Sequence, residues 1–213
     1  MSIQMSLANI ASIATQFNQG RTDLTLSEVS LYANIALGQV AAQDQYRSLE
    51  STYNFSIVSG TSSVALPSDF FAAQSLSVSS GTLNYWNTTL LPTSAEIITS
   101  YGTYKAPPRS YAIYGSTLLI GPTSDSTYSG AMRYTTKIPT LVNSGDTPSL
   151  EDRYHYAVAL KTAEIVSASR NDSEQEALNH ARYLDYMGSI YNDRALRQRD
   201  KTTGVSVPRW RGR

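Results

Sequence analysis

The chain has 213 residues, with 17 basic and 17 acidic side chains, two histidines and no cysteine. That length fits one domain, or a small domain with a second inserted into it, and needs no staple to hold a core. Zero cysteine excludes disulfide frameworks, cysteine–zinc sites, iron–sulfur clusters and thiol catalysis, and zero net charge argues against a general nucleic-acid or membrane-surface binder.

Residues 1–20 lack a basic start and an unbroken apolar run, so they do not read as a signal peptide. Leu7, Ile10, Ala14 and Phe17 follow a helical rhythm and predict a first helix over 5–17, ended by Gly20. Thr25 and Glu28 have capping-box spacing and open a second helix over about 25–50, with Val29, Tyr32, Ala33, Ala36 and Val40 on one face. From Thr52 to about 147 the period shifts toward two. Tyr53-Asn-Phe55-Ser-Ile57 and Leu76-Ser-Val78 alternate, Tyr111–Tyr114 and Leu118–Ile120 flank a Gly115-Ser-Thr turn, and Ala131–Tyr134 is a further strand. Turn signals recur every 8–15 residues, as a sandwich or barrel requires. The uncharged stretch 70–95 is interrupted by Gln74, Asn84 and Asn87 and does not read as a membrane span. Helical rhythm returns over 149–169 with Tyr154, Ala157, Val158, Leu160, Ile165 and Ala168. Ser173 and Glu176 form a second capping box, opening a helix to about 199 with Ala177, Ala181, Leu184, Met187 and Tyr191 on one face.

The expected fold is therefore α+β. A four-helix bundle from residues 1–50 and 148–200 carries an all-β, sandwich- or barrel-like insertion over 51–147, and 201–213 form an extended C-terminal arm. Ala33, Ala36, Leu184 and Met187 are expected in the bundle core. Ser and Thr supply 51 residues and charged residues only 16% of the chain, a composition common in β-rich proteins that pack against copies of themselves.

Motifs for chemistry are missing. His155 and His180 have no second histidine or cysteine at ligand spacing. Each has a glutamate four residues before it, Glu151 and Glu176, so a metal or general-base role competes with the plainer one, a helix histidine in a local pair, and the plainer one is taken. There is no Gly-x-Ser-x-Gly and no phosphate-binding glycine loop. Ser59-Gly60-Thr61-Ser62-Ser63 reads as a turn, and Asp69 after Pro67-Ser68 as a turn or cap. Glu96 is the one acid between Asp69 and Asp125, which excludes a glycosidase pair confined to that stretch. Tyr85-Trp86 and Tyr101-Gly-Thr-Tyr104 suit sugar stacking or, preferably, packing. No catalytic, cofactor-binding or metal-binding residue is expected. Charge is uneven: residues 194–213 hold seven basic side chains and Asp200, a net of +6, which leaves −6 on residues 1–193. Val207-Pro208-Arg209-Trp210-Arg211 sets an aromatic anchor between arginines, the residue types that dominate interface hot spots.

The combined pattern resembles the head-to-tail adaptor family of tailed bacteriophages, also described as head–tail connector or tail tubular proteins. The resemblance covers about residues 22–200. It lies in Thr25-x-x-Glu28 before an Ala-rich helix, in Leu66-Pro67-Ser68-Asp69-Phe70, and in the hairpin Pro108-x-x-Tyr111-x-Ile113-x-Gly115-x-x-Leu118-x-Ile120-x-Pro122. Arg133-Tyr134, Ile138-Pro139-Thr140-Leu141 and Asp152-Arg153-Tyr154-His155-Tyr156 continue it, with His155 where the family often has proline. The resemblance implies a non-enzymatic virion protein at the head–tail interface, present in the host cytoplasm during assembly. It implies a homo-oligomeric ring, usually of twelve copies, beneath the portal protein and joined to downstream nozzle or tail-fibre proteins. Genomic DNA would pass through the channel without specific binding. The basic arm is the natural portal-binding element, with Arg194, Arg197, Arg199, Lys201, Pro208, Arg209, Trp210, Arg211 and Arg213 as the expected contact residues. A carbohydrate-binding or capsid-decorating β module with a helical base is the alternative.

Overall fold

The computed structural model describes residues 4–19, 24–43, 46–80 and 87–203, without the side chains of residues 87 and 194–203. In chain order the elements are α1 (Leu7–Phe17), α2 (Leu26–Ala41), a 3-10 turn (Arg47–Leu49), β1 (Glu50–Ile57), β2 (Ser63–Ala65), β3 (Phe70–Ser80), β4 (Asn87–Thr89), β5 (Leu91–Pro92), α3 (Ala95–Ser100), β6 (Lys105–Ala106), β7 (Ser110–Tyr114), β8 (Thr117–Gly121), β9 (Thr123–Ser124), β10 (Tyr128–Thr136), α4 (Asp152–Ser169) and α5 (Ser173–Thr203). The chain is α+β and divides into two compact units. One is Leu49–Ile138; the other joins the residues up to Ser48 with those from Pro139 onward.

In the helical unit, α4 is the helix against which α1, α2 and α5 all pack. Its buried residues run most of the way round, from Tyr154 and Ala157 to Leu160, Ala163 and Val166, as a helix with three neighbours requires. The alanines let those neighbours approach. Ser6 caps α1, and the otherwise unpaired N–H groups of Leu7 and Ala8 donate to the carbonyls of Asp146 (2.8 Å) and Ser144 (3.0 Å). The Asp146 carboxylate accepts from the N–H groups of Val142 and Asn143 at 2.7 and 2.8 Å, which closes that loop. Thr25 and Glu28 form the expected capping box: the Glu28 N–H donates to the Thr25 hydroxyl, and the Thr25 N–H to the Glu28 carboxylate. Those bonds hold the Glu28 carboxyl below its ordinary range, the Thr25 backbone N–H first and its hydroxyl second. Ser30 and Asn34 donate to the Leu141 carbonyl, and the Leu141 N–H donates to Asn34, so segment 140–142 is zipped along α2. Residues 139–147 thus belong with the helices rather than with the β block.

Helix α2 stops at Ala41, nine residues before the expected end. Residues such as Gln43, Arg47 and Leu49 are adequate helix formers, but tertiary pairing overrides propensity. Tyr46 is buried with its hydroxyl on the Val40 carbonyl and its ring edge-on to Tyr154 at 4.6 Å, and Glu50 already pairs with Thr135.

The β unit has two four-stranded sheets, ordered β1-β10-β3-β4 and β2-β8-β7-β5, and a short β6-β9 pair. The first sheet is antiparallel throughout. Ile57, Leu76, Val78, Tyr111, Leu118, Ile120, Tyr128, Met132 and Tyr134 form one core drawn from both sheets. The β7–β8 hairpin turns through Gly115 and Ser116, with Gly115 at φ 57°, the sign that a two-residue loop with glycine first requires. The expectation of an all-β block needs correction, because it contains α3. Ser94 caps α3 by accepting from the Ile97 N–H, and Ile98 packs so close to Gly121 that a Cβ there would lie 2.8 Å from it. A six-residue helix is too short to show a period, which is why the sequence conceals it.

Candidate functional site

The basic C-terminal region begins on α5. The α4–α5 connection is tight, with Asn171 at φ 56°, a left-handed position that asparagine tolerates. The helix is capped by Asp172, whose carboxylate accepts from the Gln175 N–H at 3.2 Å. The expected cap at Ser173 is thus displaced by one residue, because Asp172 reaches the third helical N–H first.

The buried stripe of α5 is Asn179, Tyr183, Met187 and Ile190. Of the expected stripe only Met187 is buried; Ala177, Ala181, Leu184 and Tyr191 are exposed. Polar bonds explain the choice. The Asn179 amide donates to Ser167 (3.0 Å) and the Ala163 carbonyl, and Ser167 donates to Asn18, whose amide in turn donates to the Ala14 and Ala163 carbonyls. This satisfied network ties α5 and α4 to the end of α1. Tyr183 donates to Gln43 at 2.7 Å and Tyr186 to the Arg153 carbonyl at 2.8 Å. Burial pushes both hydroxyls' pKa upward. Apolar periodicity could not reveal this stripe; the spacing of Asn179, Tyr183 and Tyr186 is the signal that could.

Neither histidine uses the glutamate four residues before it. His155 is buried; its Nδ1 accepts from the Met5 N–H at 3.0 Å, and its Nε2 lies 3.0 Å from the Leu150 carbonyl. With Nδ1 accepting, Nε2 is the nitrogen left to donate to that carbonyl, and the side chain clamps the residues preceding α1. His180 places Nδ1 3.2 Å from Glu164 of α4, whose other oxygen holds Lys161 at 2.7 Å. Glu151 pairs instead with Arg153. Among the described residues no group of His, Cys, Asp or Glu has metal-binding geometry.

The other sequence candidates are mostly structural. The Tyr134 hydroxyl donates to Asp69 at 3.0 Å, and the Lys137 N–H donates to the Asp69 carbonyl, so Leu66–Phe70 anchors β3 to β10. Gly60, at φ 82°, turns Ser59–Ser63 and donates its N–H to the Ser124 carbonyl. Tyr101 packs beside Gly121, Tyr104 is exposed, and Tyr85-Trp86 lie outside the described residues.

Thirteen residues of α5 follow Ile190, a length of about 20 Å, and helix continues to Thr203. Lys201 is therefore helical rather than part of an extended arm. Arg194, Arg197 and Lys201 share one side of the helix by spacing and Arg199 lies off it; good helix formers from Arg194 to Lys201 account for the added turn. Pro208, Arg209, Trp210, Arg211 and Arg213 lie outside the described residues.

The described helices include none long and apolar enough to cross a membrane. No curated protein matches the chain significantly. The family model for the SU10 adaptor protein matches residues 5–209, a span that takes in both units and the basic end of α5. With that match, the chain belongs to the SU10 adaptor family, bacteriophage head-to-tail adaptors and so structural proteins of the virion.

Proposed function

We propose that this adaptor forms a closed ring beneath the portal, twelve-membered as the resemblance implies, which joins the capsid to the nozzle or tail-fibre proteins and extends the DNA channel. In this reading α1, α2, α4 and α5 are a four-helix bundle with the β unit inserted between α2 and α4. The observation that carries the reading is the family match across residues 5–209. Charge supports the channel: residues 1–193 hold 10 basic and 16 acidic groups. A net negative wall lets DNA slide, whereas a basic lining would hold it by counterion release.

The basic end of α5 and the residues after it dock on the portal. Arg194, Arg197, Arg199 and Lys201 steer the approach, and Trp210, between Arg209 and Arg211, anchors it. Trp210→Ala then costs at least about 2 kcal/mol per site, the hot-spot scale. A truncation after Thr203 is expected to fold and to lose portal attachment. The competing role, a grip on DNA, predicts steep salt dependence and greater sensitivity to a triple Arg→Gln variant at 209, 211 and 213 than to Trp210→Ala. Portal co-sedimentation and DNA binding, measured separately, decide between them. Normal attachment by the truncated chain eliminates the docking role, and one or two copies per portal eliminate the ring.

A further inference from the structure

The helical unit shows two apolar faces that the described residues leave exposed. On α5, flanking the buried stripe, Ala177, Ala181, Leu184 and Gly188 recur at intervals of 4, 3 and 4, the spacing of a helix–helix seam. Leu184 is 55% exposed. On α2, opposite Val29, Ala33, Ala36 and Val40, the outward residues are Leu31, Ile35 and Gly38, with Leu31 60% exposed and Ile35 43%. Beside that face Leu26, Leu31 and Val142, with Ser27, Ser30, Asn34 and Thr140 between them, line an open groove. The sixteen residues of α2 contain one charged side chain, Glu28, and the capping box uses it. A helix that faces water along its length ordinarily carries charge on that side.

The glycines add an independent observation. Gly38 and Gly188 lie inside helices without positive φ, and a Cβ at either would meet nothing within 4 Å. Nothing among the described residues requires glycine at either place, and glycine weakens a helix interior relative to alanine. Both sit on the outward faces, where a close approach by another chain accounts for them.

We propose that the outer stripe of α5 in one copy seats on the outward face of α2, at Leu31, Ile35 and Gly38, in the next copy, an inference that rests on the ring reading above. The two faces are different patches of the same chain, so the contact is head-to-tail and builds a ring; a face pairing with itself would stop at a dimer. Size favours a templated ring as well. Ala177 to Gly188 spans about 17 Å of a helix about 10 Å wide, which offers about 170 Å². Each partner in a stable complex contributes roughly 800 Å². This contact alone does not hold two free chains together, but it repeats at every subunit once they are aligned on the portal.

The absence of cysteine makes the test clean. Single variants Leu31→Cys, Ile35→Cys, Gly38→Cys, Ala177→Cys, Ala181→Cys and Leu184→Cys are assembled on the cognate portal, alone and in mixtures, then oxidised. The expected result is cross-links between an α2 variant and an α5 variant, and none between identical variants. Gly188→Ala is expected to raise the Tm of the free chain yet reduce ring yield at least tenfold. Self-linking of the α5 variants, or a complete ring with no cross-link in any of the nine mixtures, overturns the interface while leaving the ring intact. Failure of the cysteine-free chain to form a ring on the portal overturns both. Ring yield for Gly188→Ala equal to that of the parent also counts against the contact.

Discussion

The β unit and the helical unit distribute apolar side chains in opposite ways. In the first sheet the faces are divided along β1, β10 and the second half of β3, although Phe71 at the start of β3 is exposed. Ile57, Leu76, Val78, Met132 and Tyr134 point into the core, while the register sets Thr52 beside Arg133 and Ser75, Asn54 beside Ala131 and Ser77, and Ser56 beside Ser129 and Ser79 on the other face. Helix α5 has no such division. Its buried side carries Asn179 and Tyr183, and its exposed side carries Ala177, Leu184 and Tyr191. The difference shows that apolar periodicity identifies a core face only where the other face is polar. Where both carry apolar side chains, hydrogen-bond partners decide which one turns inward, and the other stays exposed.

Adjacent residues on α5 offer the strongest way to break this contrast. Tyr183 is 2% exposed and donates to Gln43, so Tyr183→Ala is expected to cost about 3–5 kcal/mol, the range for deleting a buried aromatic. Leu184→Ala is expected to change the stability of the free chain by no more than about 0.5 kcal/mol. Urea denaturation of the monomer measures both, and equal costs would return Leu184 to the core. The histidines give a second pair of smaller size. His155→Ala leaves the Met5 N–H and the Leu150 carbonyl unpaired in a buried place and costs about 1–3 kcal/mol. His180→Ala, at the surface, stays within about 0.5 kcal/mol.

Sequence conveyed most where one local rule acted without competition. The Thr25–Glu28 capping box, the Gly115 hairpin and the alternation of Tyr53, Phe55 and Ile57 each rest on residues a few positions apart, and the structure contains all three. It conveyed least where distant partners decide. The end of α2 depends on Glu50 pairing with Thr135, and the inward face of α5 on Ser167 and Gln43. The candidate site rests on the order of charges along the chain, which sets seven basic side chains and one acid between Arg194 and Arg213 and which net charge alone conceals. The outward stripes of α2 and α5 were not legible, because from sequence an apolar stripe made for a second copy looks the same as one made for the core.

The glycine at position 130 sharpens the comparison within the β unit. Phe55 lies across it from the neighbouring strand, and a Cβ there would sit 2.4 Å from the ring. Gly130→Ala is expected to cost about 1–3 kcal/mol by overpacking. The cost should largely vanish in a Phe55→Ala background, where the ring is gone. A double-mutant cycle on thermal unfolding checks this, and strictly additive effects would show that the close contact is not the cause.

Alkaline pH separates the two units by their smallest expected effect. In the β unit Tyr128 donates to Asp125 at 2.7 Å, and burial, then that bond, then the carboxylate's charge push its pKa from 10.0 up to about 12. The folded chain therefore keeps this proton after the unfolded chain has released its own. The stabilisation is fully present below about pH 10 and is lost as pH rises through about 12. Tyr128→Phe removes the ionisation and the bond together. At pH 7 the variant should lose only about 1 kcal/mol, the net worth of one hydrogen bond. Between pH 10 and 12 its stability should fall less steeply than that of the parent. The remaining slope belongs to Tyr111, Tyr183 and Tyr186, all raised chiefly by burial, and two of those three are in the helical unit. Denaturant melts across that window, with tyrosinate absorbance recorded in parallel, should therefore show parent and variant converging as pH rises. Parallel stability curves for parent and variant would mean that Tyr128 ionises at its ordinary pKa and that its bond to Asp125 does not hold the proton.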